Sequence, residues 1–124
     1  MTNAKISALQ GKRVLVVEDD YLIGQFVAGV LQSAGAEVIG PAGAVGLALK
    51  LLEDNAVDAA MLDVNLHGDR SYAVAEALVA RGIGFVFVTG YGSESLDARY
   101  RSYPRCEKPI QEAALLAALA AVLG

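Results

Sequence analysis

Several positions in this chain carry side chains that could do chemistry if brought together. Glu18, Asp19 and Asp20 close the β-branched run Arg13-Val14-Leu15-Val16-Val17. Asp63 closes the apolar run Ala59-Ala60-Met61-Leu62, and a turn, His67-Gly68-Asp69, follows shortly. Thr89 closes a third apolar run, and Lys108 stands before Pro109. Carboxylates held close together repel and raise one another's pKa. A hard divalent cation relieves that repulsion, and Mg²⁺ in particular takes one or two carboxylates, several waters and phosphate oxygens. A carboxylate can also act as a nucleophile and form an aspartyl-phosphate. A metal and an ammonium group then neutralise the equatorial oxygens of the transferring group. The residue types therefore suit phosphoryl transfer, with Asp63 as acceptor and the Thr89 hydroxyl as a hydrogen-bond donor to the product.

The elements between these residues decide whether they can meet. Uncharged runs bounded by turn residues read as buried strands of a parallel sheet. They are expected at 13–17, 36–40, 56–63 and 83–89, with a weak fifth at 103–107. Pro41 is expected to end the second. Helical spacing begins at Tyr21, where Leu22, Ile23, Phe26, Val27, Val30 and Leu31 are expected to share one face. Asp20 is placed to cap that helix and Gly35 to stop it. Further helices are expected over 45–52, 72–81 and 110–122, with a poor one ending at Arg101. The alternation βαβαβαβαβα implies one parallel sheet covered by helices on both faces. In such sheets ligands sit outside the carboxyl ends of the strands. That rim is where Glu18, Asp19, Asp63, Thr89 and Lys108 all fall.

Composition narrows the classes. A chain of 124 residues suggests a single domain, with a loose tail over 1–11 and the domain over 12–124. Hydrophobic residues make up 55%, enough for a sheet buried on both sides. The net charge of −4 argues against direct binding of DNA. A lone cysteine, Cys106, excludes an intramolecular disulfide, fits a reducing compartment and reads as a small buried filler. The opening residues lack the apolar core of a signal peptide. The longest apolar run, Ala113 to Leu123, falls short of the ~20 residues that span a bilayer. A cytoplasmic protein without a membrane segment is expected.

Taken in order, Val14-Leu15-Val16-Val17-Glu18-Asp19-Asp20, Leu62-Asp63-Val64-Asn65, Val88-Thr89-Gly90 and Lys108-Pro109 resemble the markers of response-regulator receiver domains. The resemblance covers nearly the whole chain from Lys12 onward. It implies a CheY-like, flavodoxin-like fold of five parallel strands in the order 2-1-3-4-5. It implies that Asp63 accepts a phosphoryl group from the phosphohistidine of a sensor histidine kinase or a phosphotransfer protein. Glu18 and Asp19 would hold Mg²⁺ with Asp63, Asn65 would add its main-chain carbonyl, Lys108 would pair with the phosphoryl oxygens, and Thr89 would swing toward them. One position departs from the pattern. Three residues before the lysine, where receivers usually carry an aromatic, stands Arg105, while an aromatic follows the threonine at Tyr91. Phe87-Val88-Thr89-Gly90-Tyr91 resembles the "FAT GUY" subgroup of stand-alone receivers, associated with alphaproteobacterial stress signalling. Tyr91 and its loop are then expected to take over the switching.

No output domain is expected after Gly124. The expected function is a single-domain response regulator in a two-component phosphorelay, signalling by phosphorylation-dependent contacts or serving as a phosphate sink. It would catalyse its own phosphorylation and dephosphorylation without being a metabolic enzyme. The last two helices and the strand between them are the expected reading surface, and dimerisation through the helices stays open. Other readings stand beside this one. They are a pseudo-receiver that binds proteins without being phosphorylated, an aspartyl-nucleophile phosphohydrolase, and a flavin-binding doubly wound domain. The phosphohydrolase would want an acid where Asn65 stands. His67 reads as a solvated loop residue and Asp20 as a cap.

Overall fold

In the first strand, β1 (Arg13–Val17), every residue after Arg13 is fully buried, and so is β3 (Ala59–Asp63) up to its last residue, Asp63, which is nearly so. Strands without polar alternation are stable only where both faces are covered. The computed structural model, which describes residues 8–90 and 96–124, covers both. With β2 (Glu37–Ala42), β4 (Gly84–Thr89) and β5 (Arg105–Glu107), these strands form one parallel sheet in the order β2-β1-β3-β4-β5. That is the order the resemblance implies.

Successive residues of each central strand point to opposite faces, so each run divides into two cores. Leu15, Val17, Leu62 and Phe87 pack with Leu52 of α2 (Val45–Asp54) and Leu78 of α3 (Tyr72–Ala80). Val14, Val16, Met61 and Val88 pack with Leu31 of α1 (Tyr21–Ser33) and Leu115 of α4 (Glu112–Leu123). Cys106 lies buried in the second core as a free thiol. Among the described residues, no helix is long and apolar enough to cross a membrane.

The ends of α1 follow the sequence. Asp20 Oδ1 accepts the Ile23 N–H at 3.0 Å, and Gly35 takes a left-handed φ of 89° just beyond the helix. Its apolar face is narrower than expected. Leu22 is 77% and Phe26 48% exposed, because the sheet meets the helix along Val27, Val30 and Leu31. β2 runs on through Pro41 to Ala42, across a cis Gly40–Pro41 bond and an irregularity in its pairing with β1. It can do so because it is an edge strand, where the missing N–H leaves no ladder partner orphaned.

Where a poor helix was expected before Arg101, there is one 3₁₀ turn, Ala98–Tyr100, with Asp97 Oδ1 accepting the Arg99 N–H at 3.1 Å. β5 starts at Arg105 rather than Tyr103, whose ring instead stacks on Phe85. The end of the expected tail is packed: Leu9 is fully buried in the α1–α4 core, and the Gly11 N–H donates to the Gly35 carbonyl at 2.8 Å. After β3 comes a small antiparallel hairpin, Asn65–Leu66 with Asp69–Arg70, that the turn signal alone did not announce. His67 and Gly68 form its loop with φ of 51° and 90°, the double left-handed geometry that matches strand twist in two-residue hairpins.

Candidate functional site

The strand order reverses beside β1 and β3, so the carboxyl ends of these strands border the crevice where open α/β sheets bind ligands. β1 delivers Glu18 and Asp19 there, and β3 delivers Asp63. The three carboxylates each place an oxygen within 4.8 Å of the others. Lys108, from the turn after β5, sets its Nζ 2.7 Å from Asp63 Oδ2 and 3.2 Å from Glu18 Oε1. The expected juxtaposition of Asp63 with Asp19 and Lys108 is therefore present.

Burial gives these groups their electrostatic character. Glu18 is 3% and Asp63 5% exposed. Burial pushes the Glu18 carboxyl up to about 7; the neighbouring Asp63 charge adds to the rise, while the Asp20 N–H bonded to Glu18 and the Lys108 charge restrain it. For Lys108, burial alone would lower the pKa. The hydrogen bond to Asp63 and the charges of Asp63 and Glu18 outweigh it, so the ammonium is held above its ordinary range. Lys108 is thus a firmly charged cation between two acids, one of them poised to lose its proton near neutrality.

The loop after β3 is tied to the same acids. Asp63 Oδ1 accepts the Asn65 N–H at 3.1 Å, and Asn65 Oδ1 accepts the Gly68 N–H at 3.0 Å. Asp19 Oδ2 accepts the His67 N–H at 2.9 Å and lies 3.3 Å from His67 Nδ1. His67, expected to be merely solvated, therefore pins the hairpin to β1 although its ring is exposed. These elements enclose an open cleft of about 430 Å³ over Asp63, lined also by Asp19, Asn65, Thr89, Lys108 and Arg70. Thr89 is 1% exposed, and among the described residues its Oγ1 has no hydrogen-bond partner. A buried hydroxyl with nothing to bond is costly, and it marks a place where an oxygen-rich ligand would be welcome.

Arg70 is the lining residue that sequence reasoning missed. Its signal was available. A two-residue loop at His67-Gly68 makes Arg70 the cross-strand partner of Asn65, two residues past Asp63. Arg105 lies exposed at the start of β5, where its Nη1 donates to the Arg101 carbonyl at 2.9 Å. Tyr91 falls outside the described residues.

No family model and no curated protein matches the chain. Solved structures do. The solution structure of SdrG from Sphingomonas melonis Fr1 is 42% identical, covers 94% of this chain and 98% of its own, and superposes with a TM-score of 0.82. A CheY-like response regulator receiver domain protein from Methanospirillum hungatei JF-1 is 27% identical over 92% of this chain and 94% of its own, with a TM-score of 0.80. The chain belongs to the response-regulator receiver domains. Receivers are signalling domains of two-component systems rather than metabolic enzymes. The receiver also superposes on the response regulator PhyR from Brucella abortus, 27% identical with a TM-score of 0.82, covering 96% of this chain and 50% of that longer one.

Proposed function

We propose that this receiver is phosphorylated on Asp63 and works as a phosphoacceptor in a phosphorelay. The observation that carries the reading is the Lys108 ammonium 2.7 Å from Asp63 Oδ2, inside a trio of acids open to a cleft. An Asp63 carboxylate oxygen would attack phosphorus, and the P–N bond of a kinase's or phosphotransfer protein's phosphohistidine would break. Its electron pair would stay on the imidazole nitrogen, leaving an acyl phosphate on Asp63. The donor set fits a hard divalent cation, because it offers only oxygens and places acids close enough to need one. Glu18, Asp19, Asp63 and the Asn65 carbonyl would hold Mg²⁺, which supplies charge neutralisation to the transferring phosphoryl group when bound. Lys108 would follow the negative charge from the carboxylate to the phosphoryl oxygens, and the orphaned Thr89 hydroxyl would turn to donate to one of them.

The added charge of about −1.5 to −2 would then bias the segment after Thr89, with Tyr91 in place of the usual aromatic at the Arg105 position. Partners in the cytoplasm would read that change. Incubation with acetyl phosphate and Mg²⁺ followed by intact-mass analysis tests the reading. The wild type should gain the mass of one phosphoryl group and Asp63→Asn none. A wild type that gains nothing would leave a protein-binding module without phosphorylation.

A further inference from the structure

The three converging acids are not held alike. Glu18 Oε2 accepts the Asp20 N–H at 3.0 Å, Asp63 Oδ1 accepts the Asn65 N–H at 3.1 Å, and Lys108 Nζ braces both carboxylates. Among the described residues, the Asp19 carboxylate is held by His67 alone. That residue meets Asp19 Oδ2 twice, through its N–H at 2.9 Å and through Nδ1 at 3.3 Å. Asp19 also has the most freedom of the three, with its side chain 17% exposed against 0% for Glu18 and 7% for Asp63.

The hairpin loop does not account for the ring of His67. Its φ of 51° is a conformation that glycine or asparagine adopts at least as readily. Packing does not account for it either, since the imidazole is 79% exposed. Groups bonded to a metal's ligands fix the orientation of those ligands, and their loss costs metal affinity. Resting on the reading of Glu18, Asp19 and Asp63 as a divalent-cation site, we propose that His67 is a positioning residue whose ring, through Nδ1, sets the orientation of the Asp19 carboxylate for the cation.

The test is Mg²⁺ affinity, measured by isothermal titration calorimetry with no phosphoryl donor present, for the wild type and His67→Ala, His67→Gly and His67→Asn. Alanine and glycine both remove the ring but differ in backbone preference, alanine being strained in the left-handed region and glycine relaxed. Both should weaken Mg²⁺ binding about tenfold, the low end for an outer-shell partner because the contact is exposed. Asparagine tolerates the left-handed backbone and carries an N–H donor at the branch that Nδ1 occupies, so it should bind within about threefold of the wild type. A merely structural role would rank the variants by backbone strain and impair alanine alone. That ranking would overturn the role of His67, and so would a glycine variant within about twofold of the wild type or an asparagine variant as weak as glycine. A wild type with no affinity for Mg²⁺ would sink the cation site and His67 together.

Discussion

Burial has moved the Glu18 carboxyl from an ordinary 4.5 up to about 7, with the neighbouring Asp63 charge adding to the rise. The folded chain therefore holds this proton more tightly than the unfolded one. Its contribution to stability is complete below pH 4.5 and is lost as pH rises through 7. Lys108, raised from an already high value, stays charged throughout that window. Glu18→Gln keeps the shape and removes the titration. With EDTA present, urea unfolding should show the wild type losing on the order of 2 kcal/mol relative to Glu18→Gln between pH 5 and pH 8. A gap that is the same at both values would mean that Glu18 ionises as freely folded as unfolded. Glu18, Asp19, Asp63, Thr89 and Lys108 were legible in the sequence for one physical reason. A buried parallel strand ends at the rim of the sheet, so polar residues at or just past a strand's end are visible in a linear string, at the close of an apolar run for Glu18, Asp19, Asp63 and Thr89 and before Pro109 for Lys108. Arg70 was not legible in that way, since its place depends on a hairpin pairing rather than on a strand end.

The elements packed against the sheet differ in how much room their glycines leave. Gly29 lies in the middle of α1, and a Cβ there would meet nothing within 4 Å. Gly84 opens β4 beneath the end of α4, and a Cβ there would come 2.6 Å from the Val122 carbonyl oxygen and 2.8 Å from Val122 Cβ. Gly29→Ala should accordingly stabilise the domain by about 0.5–1 kcal/mol through helix propensity. Gly84→Ala should destabilise it by about 1–3 kcal/mol, since backbone must shift to admit the methyl group. Denaturant midpoints of the two variants check both signs, and a neutral Gly84→Ala would show that α4 can lift off β4 freely.

The same contrast explains what the sequence concealed at this scale. Long uninterrupted runs such as β1, β3 and β4 declare themselves, because a strand buried on both faces admits no polar residue. The passage of β2 through Pro41 depends on being at an edge, and the exposure of Leu22 and Phe26 depends on the angle at which α1 meets the sheet. Neither is a property of a local window.

Across the whole molecule the net charge of −4 is unevenly spent, with Glu18, Asp19, Asp20 and Asp63 at one rim of the sheet. In the unfolded chain these acids are separated by as much as 45 residues, counting from Glu18 to Asp63, and share no cation. In the fold three of them converge within 4.8 Å. A divalent cation that binds them must therefore bind the folded form in preference, and it stabilises that form by RT ln(1 + [L]/Kd). At ten times its dissociation constant Mg²⁺ should add about 1.4 kcal/mol, which raises the melting temperature of a domain this size by about 5 °C. Asp19→Asn should remove most of that rise. Asp54→Asn, at the end of α2 in an exposed pair with Lys50, should leave it intact at matched ionic strength. Thermal melts with and without Mg²⁺ distinguish the two cases, because a general screening effect would act on both variants alike. If Asp19→Asn responded to Mg²⁺ as the wild type does, the convergence of acids at this rim would be a burden on the fold with no cation to relieve it, and Lys108 alone would have to carry that load.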